Sequence, residues 1–202
     1  MPRTGGEQRK VAIVSEAIHQ FGRDGYRGAS LDNIANAVGV RKQTVLYYFP
    51  NKDALLEACL TSAGERLAFE IARALENATS YWDRAEAVIH AVFGLAGEWP
   101  EFPMFVREAG RLGPDAFDRF AGVLDPLRTR AIEFLQTGMD QGEIRKQDPV
   151  LLLFTLYTAV VGSLTEASVL NAVVGTSKSR QSLRVREREV VGFVKAALQP
   201  PD

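Results

Sequence analysis

A single cysteine, Cys59, among 202 residues excludes an internal disulfide. It falls in an apolar-periodic stretch, where a thiol acts as a small buried hydrophobe. There are only two histidines, His19 and His90. They lie on separate helical segments with neither metal-ligand spacing nor a nucleophile at hand, so no catalytic residue, metal site or cofactor is expected, and an enzyme is disfavoured. Strand-type alternation of apolar and polar residues is missing, and without strands no glycine-rich phosphate loop can follow one. Net charge is nearly absent, at −1. A membrane-length apolar run is missing too. The uncharged stretch from Val150 to Thr165 falls short of the ~20 residues a span needs, and it contains Gly162, Ser163 and three threonines. It is expected to be a helix buried between other helices. The first ten residues are polar and lack the apolar core of a secretory signal, so a cytoplasmic location is expected.

What is present is helical punctuation. Val14, Ala17, Ile18 and Phe21 form an apolar stripe that Gly25 closes. Ser30 caps a short second helix with Leu31, Ile34 and Ala35, and Gly39 ends it. A third helix runs from about Lys42 to Phe49, and Pro50 stops it. Asn51 opens a long fourth helix that links two domains. Ser80 and Asp83 form a capping box, Gly113–Pro114 and Asp125–Pro126 mark breaks, and Asp148–Pro149 is a strong start signal. The chain therefore reads as all-α, with about nine helices. Residues 1–50 form one domain and residues 51–202 a second.

Charge is unevenly shared between them. Residues 1–55 hold eight basic side chains against five acidic ones, whereas the remainder holds 16 against 20. The N-terminal piece is the candidate for contact with phosphate. Its segment Ser30–Leu56 reads as two short helices around a tight turn at Gly39, Val40 and Arg41, which is the pattern of a helix-turn-helix. On the third helix, Val45 and Phe49 share the core face, so Gln43 and Tyr47 fall nearly opposite, flanked by Lys42, Thr44 and Leu46. Amide and hydroxyl groups suit base edges, while a cation and a phenol suit phosphate oxygens. The outer face itself carries no carboxylate. Lys52, in the first turn of the fourth helix, would add a cation where the helix end already favours an anion.

The stretch Gly39–Leu55 resembles the signature of the TetR family of bacterial repressors. Gly39, Val40, Thr44, Tyr48, Phe49, Asn51, Lys52, Asp53 and Leu55 match it. Upstream, Phe21, Gly25, Tyr26, Ser30, Ile34 and Ala35 also fit, so the likeness covers about the first 60 residues. Three positions depart from the pattern: Arg41 stands where Ser is usual, Leu46 where Tyr is usual, and Val45 where Leu is usual. On this reading Thr44, Tyr47, Tyr48 and Lys52 contact the DNA backbone, while Lys42, Gln43 and Arg41 read bases.

The resemblance implies that the C-terminal segment dimerises and binds a small effector that releases a palindromic operator. A two-fold dimer would offer two reading heads to half-sites about 34–36 Å apart. The last two helices are the expected interface, through the stripes Leu152–Val161 and Val190–Leu198. Phe93, Trp99, Phe102, Phe105, Phe120 and Tyr157 concentrate aromatic surface in and after the middle of the chain and are the candidate lining of a lipophilic effector pocket. The competing reading is a helical interaction module without specific DNA binding.

Overall fold

In a computed structural model the described residues, 4–174 and 182–200, are helical throughout apart from short turns. Among the described residues ten helices follow one another: α1 (Thr4–Gly28), α2 (Leu31–Ala37), α3 (Lys42–Tyr48), α4 (Lys52–Leu75), α5 (Tyr81–Glu98), α6 (Phe102–Arg111), α7 (Pro114–Asp140), α8 (Pro149–Thr165), α9 (Ala167–Val174) and α10 (Leu183–Leu198). The caps read from the sequence are in place. The Ser30 hydroxyl accepts from Asn33 N–H, and Asn51 Oδ1 accepts from Ala54 N–H at 2.8 Å. Ser80 and Asp83 satisfy each other's backbone donors, and the Asp148 carboxylate accepts from Val150 and Leu151.

Packing divides the chain into two units. The first holds residues 1–66 and 99–123, the second residues 67–98 and 124–202. The partition by packing thus places α6 with the N-terminal helices, whereas the boundary after Pro50 is one of expected function. In the first unit, Ile13, Ala17, Ile18 and Phe21 of α1, Ile34 of α2, Val45 of α3, and Leu55 and Cys59 of α4 are all fully buried. Each large apolar side chain buried in this way contributes about 1.5–3 kcal/mol. Helix α6 lies along α1, and close approach is possible because residue 22 is glycine: a Cβ there would lie 2.6 Å from the carbonyl oxygen of Glu101. In the second unit, Ile89 and Phe93 of α5, Leu135 and Met139 of α7, Leu152 of α8, and Val190, Val194 and Leu198 of α10 form one core.

Two expectations are corrected here. Pro126 does not break the chain, since α7 runs through it. A proline inside a helix leaves the carbonyl four residues back without a donor, but Gly122 and Pro126 are both exposed, so solvent can take that carbonyl. Nor is α8 buried on all sides. Val150, Leu151, Phe154 and Tyr157 form an exposed apolar face, with Phe154 61% exposed. The stripe residues Leu152, Val190, Val194 and Leu198 instead pack within their own chain. Among the described residues no helix is long and apolar enough to cross a membrane, and no group of three or more His, Cys, Asp and Glu side chains is placed to hold a metal ion.

Candidate nucleic-acid interface

The turn between α2 and α3 is set by Gly39, whose φ of 70° is the left-handed conformation that favours glycine. Its backbone is tied down on both sides: Val40 N–H donates to Ala35 at 2.9 Å, and Thr44 N–H to Arg41 at 2.8 Å. Val45, wholly buried, and Phe49, nearly so, then hold α3 against the first unit from behind. The opposite face turns outward. Tyr47 is 83% exposed, Arg41, Lys42 and Gln43 are exposed, and Thr44 and Tyr48 are half-buried. One short helix thus presents an amide, a phenol and two cations to solvent with an apolar anchor beneath them.

Two neighbours shape this surface. The rings of Tyr47 and Tyr48 meet edge to face, 5.2 Å between centroids. A Cβ at Gly6 would sit 3.4 Å from the Tyr48 hydroxyl, so the first turns of α1 lie beside the C-terminal end of α3. At the other end, Lys42 Nζ donates to Asp32 of α2 at 2.8 Å, with both groups well exposed. The carboxylate missing from α3 is therefore supplied by α2. An exposed pair of this kind is held weakly, by ~1 kcal/mol or less, so Lys42 can exchange Asp32 for a phosphate or a base.

Lys52, expected at a phosphate, is engaged within the chain. Its ammonium donates to the carbonyl oxygens of Tyr26 and, at 2.6 Å, of Ala29, and it lies 4.4 Å above the Tyr26 ring. Burial holds its pKa below the ordinary lysine value. Tyr26 in turn donates its hydroxyl to Asp53 and its N–H to Glu108 of α6 at 2.8 Å. Burial first, and the Asp53 carboxylate second, push the Tyr26 phenol up to about 12. The sequence offered a hint of Tyr26, as the residue after the closing glycine of α1. It offered none of Glu108, 82 residues away.

The six aromatic residues expected at an effector pocket are distributed over both units. Phe102 and Phe105 are buried on the α6 face toward α1, with Phe105 stacked on Phe21 at 6.4 Å, and Trp99 packs on Phe102 at 5.6 Å. Phe120 is buried in the first unit, and Phe93 belongs to the core of the second. These phenylalanines are interior side chains at helical spacing. Only Trp99 and Tyr157 stay partly uncovered. A cleft of about 240 Å³ in the second unit is lined by other residues, among them Tyr81, Trp82, Ile144 and Lys195.

Residues 13–59 match the sequence profile of the bacterial regulatory proteins of the tetR family. The transcriptional regulator RutR of Escherichia coli is 25% identical over 170 residues, which cover 84% of this chain and 80% of that one. Among solved structures, the regulator FadR of Bacillus subtilis, in complex with stearoyl-CoA, superposes with a TM-score of 0.77 at 16% identity, covering 94% of this chain and 99% of the other. AibR, in complex with isovaleryl coenzyme A and operator DNA, gives a TM-score of 0.74 at 18% identity, covering 96% and 100%.

Proposed function

Since the chain belongs to the TetR family of bacterial regulatory proteins, we propose that it is a DNA-binding transcriptional repressor that holds a palindromic operator as a dimer and lets it go when a small lipophilic effector binds. The observation that carries this reading is the outward face of α3, with Gln43 and Tyr47 in solvent and Val45 and Phe49 anchored behind. Such a face fits the major groove, where an amide can pair with a base edge and cations and phenols can meet phosphates. Arg41, Lys42 and Gln43 read bases, and Thr44, Tyr47 and Tyr48 hold the backbone. Residues 1–50 are the reading part, and residues 51–202 serve effector binding and dimerisation in the cytoplasm.

The dimer is supported by the exposed face of α8, where Val150, Leu151, Phe154 and Tyr157 recur at helical spacing, and by Phe193 on α10. Monomers seldom leave such a face in water, and a two-fold copy of the same helices would cover it as a four-helix bundle. A lipophilic effector is supported by the acyl-CoA complexes of FadR and AibR.

Fluorescence anisotropy on a duplex selected from a random pool tests the reading. Affinity is expected to fall steeply as salt rises from about 50 to 200 mM, and replacing Tyr47 with alanine should weaken all duplexes alike, whereas replacing Lys42 with alanine should relax selectivity at one position. Stearoyl-CoA is expected to lower the affinity, and sedimentation should give twice the chain mass of 22.2 kDa. Salt-independent or absent binding would leave the interaction-module reading in its place.

A further inference from the structure

Lys52 is the first residue of α4, separated from α3 only by Phe49, Pro50 and Asn51. Whatever fixes the start of α4 therefore fixes the exit of α3. Lys52 binds the carbonyls of Tyr26, in the short turn after the kink at Gly25, and of Ala29, just past the end of α1, with its ammonium seated over the Tyr26 ring. The next residue, Asp53, takes the Tyr26 hydroxyl, and the Tyr26 N–H is held by Glu108. Backbone donor, backbone acceptor, hydroxyl and ring of one tyrosine are all engaged, three of them by the consecutive residues Lys52 and Asp53 at the head of α4.

Resting on the DNA-binding reading above, we propose that Lys52 is a positioning residue: it clamps the end of α1 to the start of α4 and so sets the angle at which α3 meets a duplex, without itself touching phosphate. Swinging the ammonium outward would abandon two charge-assisted hydrogen bonds and leave two partly buried carbonyls unpaired. A single new phosphate contact in water does not offset that loss.

The experiment compares wild type with Lys52→Met and Lys52→Arg on the selected duplex and on a scrambled one, across a salt series, with circular dichroism as the check on folding. A lost phosphate contact flattens the slope of log affinity against log salt by about 0.9 per reading head, about 1.8 for a two-fold dimer, and weakens both duplexes equally. A lost clamp leaves the slope unchanged and erodes the selected duplex by about tenfold or more while sparing the scrambled one, because loosened geometry costs base reading first. The arginine variant separates the two roles even if the methionine variant does not fold. Guanidinium is a good phosphate ligand but a poor fit between two converging carbonyls over an aromatic ring. Loss of selectivity in Lys52→Arg supports the clamp; a flattened slope in Lys52→Met, or wild-type affinity in Lys52→Arg, overturns it. Wild type that selects no sequence would instead overturn the DNA-binding reading itself.

Discussion

Truncation of Phe105 to alanine is expected to destabilise the N-terminal unit by about 3–5 kcal/mol, the usual cost of emptying a buried phenylalanine site. The ring is wholly buried and stacks on Phe21, which packs in turn on Tyr26. The hole would open where α6 meets α1, and Gly22 already brings those two helices as close as backbone allows. The site therefore has little freedom to collapse. Denaturant unfolding followed through tyrosine and tryptophan fluorescence measures the loss. A change below about 1 kcal/mol together with an altered effector response would return Phe105 to a pocket wall and contradict its assignment to the interior.

Replacing Gln43 with alanine is expected to remove the largest single share of sequence discrimination. A side-chain amide that pairs with a base edge is worth about 1–3 kcal/mol against the wrong base. In a two-fold dimer the loss occurs twice, giving about 2–6 kcal/mol on a symmetric operator. Gln43 is exposed, so the fold should be indifferent to the change. Its amide is uncharged, so the salt slope should hold. Selection from a random pool with the variant should show one relaxed base pair in each half-site; an unchanged consensus would remove Gln43 from the reading surface.

Sequence alone revealed what is local and lost what is distant. The α2–turn–α3 segment was legible because its signals are short-range: Ser30 caps, Gly39 turns, and the spacing of Val45 and Phe49 decides which side of a seven-residue helix faces inward. The caps at Asn51, Ser80 and Asp148 were legible for the same reason. The partners of Lys52 were not legible, because its position at a helix start suggests an anion while the carbonyls it meets lie 23 and 26 residues earlier. For Phe102 and Phe105 the pattern could not decide, because an aromatic stripe has the same spacing whether it lines a cavity or meets another helix. Pro126 looked like a stop because its cost depends on exposure, which sequence pattern does not report. The apolar share of α8 was plain, but which of its faces its own chain would cover was not.

The lone thiol gives the N-terminal unit a clock of its own. Cys59 is fully buried, its Sγ rests 3.7 Å from the Val14 carbonyl of α1, and burial pushes its pKa well above the ordinary range. A reagent meets it only when the helices around it open, so the rate of alkylation under native conditions reports those openings, with no label introduced. A bound duplex that favours the closed form should slow that rate in proportion to its occupancy, so that grip on DNA is read from a sulfur atom that never meets it.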